Sequence, residues 1–199
     1  MEKTEKRGRP KTLDRGRVLQ TALMQYWDLS PTDVSIGDIC KLTGASKPGI
    51  YREFGSDDGL KRAALESYRS VALLPLFDIL KRDQNFAAAK AALVSFTTQD
   101  REAVGLPLGC LFVAMRAQRD SLGSATGERV DQLRQEVLDA YMVWIETAKS
   151  KGECGVKIPT DAAALYFDAQ NGGAMQMQKE GVDNATIATV LRYAFKMIE

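Results

Sequence analysis

Hydrophobic positions along this chain recur at helical rather than strand spacing almost throughout. Val18, Leu19, Ala22, Leu23, Tyr26 and Trp27 mark a first amphipathic helix within residues 14–29, and Ser30-Pro31-Thr32-Asp33 reads as the loop behind it. Ser35 is an N-cap candidate for a short helix with Ile36, Ile39 and Cys40 facing inward, and Gly44 is its left-handed stop. Ser46 can cap the next segment, with Pro48 in the first turn, where a missing amide hydrogen costs nothing. That segment ends near Phe54, at Gly55-Ser56. Asp57 and Asp58 then open a longer helix whose apolar face is Leu60, Ala64, Tyr68 and Val71, up to the break expected at Pro75.

The rest of the chain continues in the same period. Short helices are predicted over Leu76 to Leu80 and Phe86 to Thr97, then a loop at Gly105-Leu106-Pro107-Leu108-Gly109, then a buried helix from Cys110 to Gln118. Glu128 to Lys149 carries the cleanest stripe, formed by Val130, Leu133, Val137, Leu138, Tyr141, Trp144, Ile145 and Ala148. Two more helices run from Thr160 to Lys179 and from Asn184 to Ile198. No segment reads as a strand, an internal repeat or a low-complexity tract, so an all-α fold is expected.

Composition narrows the function classes. Of 199 residues, 45% are hydrophobic and 27% charged, an ordinary globular balance. No apolar run reaches membrane-spanning length and the charged opening is not followed by a signal-type apolar core, so the expected compartment is the cytoplasm. The chain has 3 cysteines and 0 histidines, with no CxxC pair, which fits neither a zinc site nor a disulfide framework. No metal and no cofactor are expected. Lack of histidine also removes the commonest general base, and there is no GxSxG, P-loop or dinucleotide fingerprint.

The net charge of +1 conceals a basic N-terminal stretch. Between Lys3 and Arg17 there are seven basic residues and two acidic ones, so a polyanion would meet this end first. The two short capped segments, Ser35 to Thr43 and Ser46 to Phe54, have the spacing of a helix-turn-helix, in which the leading end of the second helix enters the major groove. Ser46, Lys47, Pro48 and Gly49 supply that leading end, followed by Tyr51 and Arg52. Spacing alone is equally compatible with two packing helices. The charge ahead of them favours DNA, because Arg7-Gly8-Arg9-Pro10 has the form of an extended arm whose Arg7 and Arg9 could lie in an A·T-rich minor groove.

These residues carry a family resemblance. Ile36-Gly37-Asp38-Ile39, Thr43-Gly44-Ala45-Ser46-Lys47 and Gly49-Ile50-Tyr51-Arg52-Glu53-Phe54-Gly55-Ser56, within the run from Val18 to Leu60, resemble the N-terminal domain of the TetR/AcrR transcription regulators. Gly109-Cys110-Leu111 is similar to a motif of one branch of that family. The resemblance implies a basic arm over residues 1–12, a three-helix DNA-binding head over 13–58 and a helical ligand-binding and dimerisation domain over 59–199. It implies that Ser35 meets phosphate, that Lys47, Pro48, Gly49, Tyr51 and Arg52 face the duplex, and that the operator is palindromic. Glu53 and Asp57 depart from the family pattern by placing acid where a phosphate-contacting histidine or lysine is common. Lys61 and the arm arginines are the expected compensation.

For the second domain, the resemblance implies a homodimer through the last two helices, with Ala169, Gly172 and Gly173 allowing close approach and Ile187, Leu191 and Phe195 supplying apolar burial. Their alternative role is an intramolecular core. An unidentified small-molecule effector is expected among the central helices, with Phe77, Phe96, Cys110, Met115, Gln118, Tyr141, Trp144 and Asn171 as candidate lining. The rival readings are a protein-interaction module with a vestigial helix-turn-helix and an enzyme using the helical cavity.

Overall fold

The computed structural model describes residues 13–155 and 157–198. The arm bearing Arg7 and Arg9 lies outside the described residues. Among those described there is no strand, and ten α-helices follow one another in the order read from the sequence. The head consists of α1 (Arg15–Asp28), α2 (Ile36–Thr43) and α3 (Lys47–Phe54). Beyond it come α4 (Asp57–Tyr68), α5 (Leu74–Lys81), α6 (Phe86–Thr97), α7 (Leu111–Ala117), α8 (Ser124–Ser150), α9 (Thr160–Lys179) and α10 (Asn184–Lys196). No described helix is long and apolar enough to cross a membrane.

Local chemistry sets the ends of the head helices. Ser35 accepts from the Asp38 amide while Asp38 accepts from the Ser35 amide, a reciprocal capping box that satisfies two orphan donors of α2. Gly44 closes α2 at φ 70°, in the left-handed region that favours glycine. Ser46 accepts from the Gly49 amide at 3.2 Å to start α3. Val18, Ala22, Leu23 and Tyr26 of α1 enclose Ile36, Ile39 and Ile50 together with Leu60 and Ala64 of α4.

One corner departs from the sequence reading. Between α4 and α5 the chain makes a π-helical turn, Arg69–Leu73, that ends two residues before Pro75. Proline has no amide hydrogen to donate four residues back, so the regular ladder cannot run through this point. The wider turn shifts the phase of the face: Ala72 and Leu73 go inward, and Val71 is left exposed instead of continuing the stripe of Leu60, Ala64 and Tyr68.

Helix α4 ties head to body. Its Asp58 carboxylate accepts from the Ala125 amide at 2.9 Å and the Thr126 amide at 3.2 Å, and so caps the N-terminus of α8, whose own N-cap, Gly123, has no side chain to offer. A Cβ on Gly123 would overlap the Asp58 carboxylate. Further along, Arg129 of α8 pairs with Glu66 of α4 and with Glu136, and Glu136 also holds Arg69. Expected outcome: Asp58→Ala lowers unfolding free energy by about 1–2 kcal/mol through the lost cap. Gly123→Ala has an effect of the same sign. Urea titration followed by helical circular dichroism checks both.

Candidate nucleic-acid interface and ligand cavity

At the head, one side of the first turn of α3 faces outward: Ser46, Lys47 and Pro48 are exposed, and Tyr51 and Arg52 follow one turn on, also exposed. The Lys47 ammonium sits 5.6 Å from the Tyr51 ring centroid, so the two form one cationic-aromatic edge. Ile50, fully buried beneath this edge, anchors α3 to the head core, and Arg15 lies over the Phe54 ring at 5.2 Å. Ser35 is exposed at the start of α2. A lysine, an arginine, a tyrosine hydroxyl and a slim proline edge on a short rigid helix can meet both phosphate oxygens and base edges.

Two sequence assignments change here. Gly49 does not face solvent. It is buried under Leu13, whose methyl would lie 3.3 Å from a Cβ at this position, so the glycine admits the chain entering α1 rather than a duplex. Lys61 is not a free cation either: its ammonium bonds the Asp57 carboxylate at 2.7 Å and its side chain is 13% exposed. The acid at position 57 is therefore neutralised within α4, and Lys61 is consumed in doing so. Glu53 remains exposed near the edge.

A second site lies where α4, α6, α7, α8 and α9 converge, as a cavity of about 70 Å³. Phe96, Cys110, Tyr141 and Asn171, four of the sequence candidates, line it together. The Tyr68 hydroxyl donates to Cys110 Sγ at 2.9 Å, Thr97 donates to Asn171 Oδ1 at 3.1 Å, and Asn171 Nδ2 donates to the Tyr141 hydroxyl. Arg116 forms a bidentate pair with Asp168, both bonds 2.9 Å. Burial pushes the Cys110 thiol above its ordinary range, only partly opposed by the Tyr68 hydroxyl, so the sulfur is protonated at neutral pH. Burial also raises the hydroxyls of Tyr68 and Tyr141. These are not the surroundings of a low-pKa, reactive cysteine.

The other candidates lie elsewhere. Met115 is fully buried in the core. Gln118 is a latch: its Oε1 accepts from Ser30 at 2.9 Å and Thr32 at 3.1 Å, joining α7 to the α1–α2 loop. Phe77 and Trp144 line a separate open groove of about 610 Å³, edged by Arg69, Lys81, Asp83 and Asp139. In α10, Ile187, Leu191 and Phe195 are buried within the subunit's own core, packed towards α6 and α9, so they are not offered to a second copy. The outward apolar positions are Leu165, Val190, Tyr193 and Met197, beside exposed Ala169 and Gly173 and half-buried Gly172.

Sequence reasoning missed Arg101, Tyr68 and the Arg116–Asp168 pair. Asp100-Arg101-Glu102 looks like a solvated charged run, yet Arg101 is 3% exposed. A tyrosine on a helical stripe reads simply as core, and Tyr68 is both core and cavity wall. The Arg116–Asp168 spacing of 52 residues leaves no local signal.

No family model matches the chain. The HTH-type transcriptional repressor ComR of Escherichia coli (strain K12) is 40% identical over 62 residues, a match spanning 31% of this chain and 30% of that protein. Solved structures cover far more. A cysteine mutant of the TetR family transcriptional regulator CifR, complexed with 26-base-pair double-strand operator DNA, superposes with a TM-score of 0.81 at 22% identity, covering 96% of this chain and 100% of that one. A TetR family regulator from Agrobacterium tumefaciens gives 0.79 at 18% identity, covering 92% and 96%. A transcriptional regulator from Saccharomonospora viridis in complex with choline gives 0.74 at 17%, covering 93% and 97%. The chain thus has the fold of the TetR family regulators over nearly its whole length.

Proposed function

We propose that this chain is a sequence-specific DNA-binding transcription regulator of the TetR family, acting as a cytoplasmic homodimer and releasing its operator when a small molecule occupies the body. The observation that carries this reading is the exposed leading edge of α3, where Lys47, Pro48, Tyr51 and Arg52 stand on a helix locked in place by the Ser46 cap and buried Ile50. The sequence match to a repressor and the fold shared with a regulator held on operator DNA support it. We take the regulator to be a repressor, a reading that the ComR likeness supports. Selection of bound fragments from randomised duplex DNA tests it. A palindromic consensus with half-sites about 10–10.5 base pairs apart, or a multiple of that, is expected; no enrichment over the starting pool would overturn it.

Dimerisation is proposed through the outward faces of α9 and α10. Gly172 and Gly173 sit in mid-helix, where glycine costs about 1 kcal/mol relative to alanine. A Cβ at either would meet nothing within 4 Å inside the subunit, so no contact within it demands a glycine there. A second copy approaching closely over Leu165, Ala169 and Gly173, with Val190, Tyr193 and Met197 alongside, accounts for both the small residues and the apolar exposure. Expected outcome: Gly173→Leu combined with Tyr193→Glu keeps subunit helicity and weakens self-association by at least about tenfold. Sedimentation equilibrium checks it, and an unchanged mass would place the interface elsewhere.

Helix α4 gives an effector its route to the head. Its N-terminal Asp58 caps α8, its C-terminal Tyr68 lines the cavity, and its Leu60 and Ala64 lie in the head core. An effector shifts the population of states only if it binds the DNA-incompetent arrangement more tightly than the competent one.

A further inference from the structure

We infer that the cavity beneath α4 is an anion site, built to receive the carboxylate of a small, otherwise apolar molecule on the guanidinium of Arg101. This deepens the proposed function by naming the chemical class of the effector and rests on that reading for its regulatory meaning.

Arg101 is 3% exposed and lines the cavity, yet no carboxylate pairs with it among the described residues. Its Nε is buried without any hydrogen-bond partner. Its Nη2 reaches only the thioether of Met175 at 3.5 Å, and its charge lies 5.5 Å from the Trp27 ring centroid. A guanidinium has five N–H donors in a fork matched to a carboxylate, and burying one with such weak partners is costly. The other ionised groups on the wall cancel, because Asp168 takes both terminal nitrogens of Arg116. Cys110 and Tyr68 cannot supply the missing anion, since burial holds both in their neutral forms. One buried positive charge is left facing a largely apolar space lined by Phe96, Leu76 and Val137.

The volume sets the scale of the ligand. About 70 Å³ corresponds to roughly two waters' share of liquid volume, enough for a carboxylate and a carbon or so. Half-buried Leu76 and Phe96 are the walls that a longer apolar tail would displace. The position also bears on signalling. Trp27, on whose ring face Arg101 rests, belongs to α1 of the head, packs edge-on against Tyr68 at 4.7 Å and donates from Nε1 to the Gly109 carbonyl at 3.2 Å. An anion drawing the guanidinium toward the cavity would loosen it from Trp27, at the joint between head and body.

Full-length protein is titrated in a calorimeter and a thermal-shift assay with straight-chain carboxylates from acetate to octanoate and with benzoate. The matching neutral amides and choline serve as controls, and no DNA is present. At least one carboxylate is expected to bind and raise the melting temperature while its amide and choline do not. Arg101→Met is expected to lower that affinity about 10- to 100-fold, the value of a charge-assisted pair, while leaving the unliganded protein at least as stable as the parent. Carboxylates no better than their amides, or an Arg101→Met protein that melts well below the parent, would overturn the proposal and make Arg101 a structural residue. Because these readouts contain no duplex, they fail separately from the DNA-binding reading.

Discussion

Lys47→Ala combined with Arg52→Ala is expected to fold as the parent does and to lose most of its operator affinity. Both side chains are exposed and neither bears on the head core, so stability should stay within about 0.5 kcal/mol. Each base- or phosphate-contacting side chain is worth about 1–3 kcal/mol, and a dimer presents the pair twice, so the fall in affinity is on the order of a hundredfold or more. Charge removal has a second signature. The slope of log affinity against log salt should become shallower by roughly 2–4 units, since each lost phosphate contact releases fewer counterions. Anisotropy titrations over a range of salt measure both quantities. A variant with unchanged affinity and slope would show that α3 does not carry the contact.

The largest stability loss is expected from Phe167→Ala. Phe167 is fully buried and stands at the centre of an aromatic cluster: its ring centroid is 4.8 Å from Phe195 of α10, 4.9 Å from Trp144 and 5.9 Å from Tyr141 of α8, and 6.2 Å from Phe86 of α6. Removing it opens a void among four helices and should cost about 3–5 kcal/mol, a large share of the 5–15 kcal/mol typical of a folded domain. The same helix turn carries Asp168, so the Arg116 pair on the cavity wall should loosen with it. Urea unfolding followed by tryptophan emission reads the loss through neighbouring Trp144. A shift under about 1 kcal/mol would mean that the cluster repacks around the gap.

Helix ends in the head were legible because their chemistry is local: Ser35 and Ser46 cap within three residues of themselves, Gly44 stops α2, and Pro48 pre-sets the first turn of α3. The exposed edge of α3 followed from the same register. Positions decided by distant partners were not legible. Gly49 looks like a slim groove-facing residue until Leu13 is seen to cover it. Lys61 looks like a phosphate ligand until Asp57 takes it. Gln118 looks like a polar anchor in a cavity and proves to hold the α1–α2 loop.

The C-terminal helices teach the same lesson through hydrophobic faces. Periodicity identified Ile187, Leu191 and Phe195 as one apolar stripe, but a stripe does not say which neighbour it meets. Here α6 and α9 of the same subunit take it. The apolar residues left exposed, Tyr193 and Met197 among them, fall outside that stripe and are too few to stand out as one. In the cavity, Phe96, Cys110, Tyr141 and Asn171 were found by their aromatic or polar character. Arg101 was hidden because flanking Asp100 and Glu102 disguise it as surface. The interlock between α4 and α8 gave no local sign: the apolar stripe starts α8 at Glu128, whereas the helix opens at Gly123, which has no side chain to cap it and takes its cap from Asp58.

The central claim is that the leading end of α3 enters the major groove, and methylation interference on a selected duplex tests it most directly. Guanine methylated at N7 projects into the major groove and adenine methylated at N3 into the minor groove. The structure leads us to expect two patches of guanine interference related by a dyad and about one helical turn apart, lost when Lys47 and Arg52 are replaced by alanine. Interference confined to minor-groove adenines, or none at bound sites, would contradict the placement of α3 and the regulator built upon it.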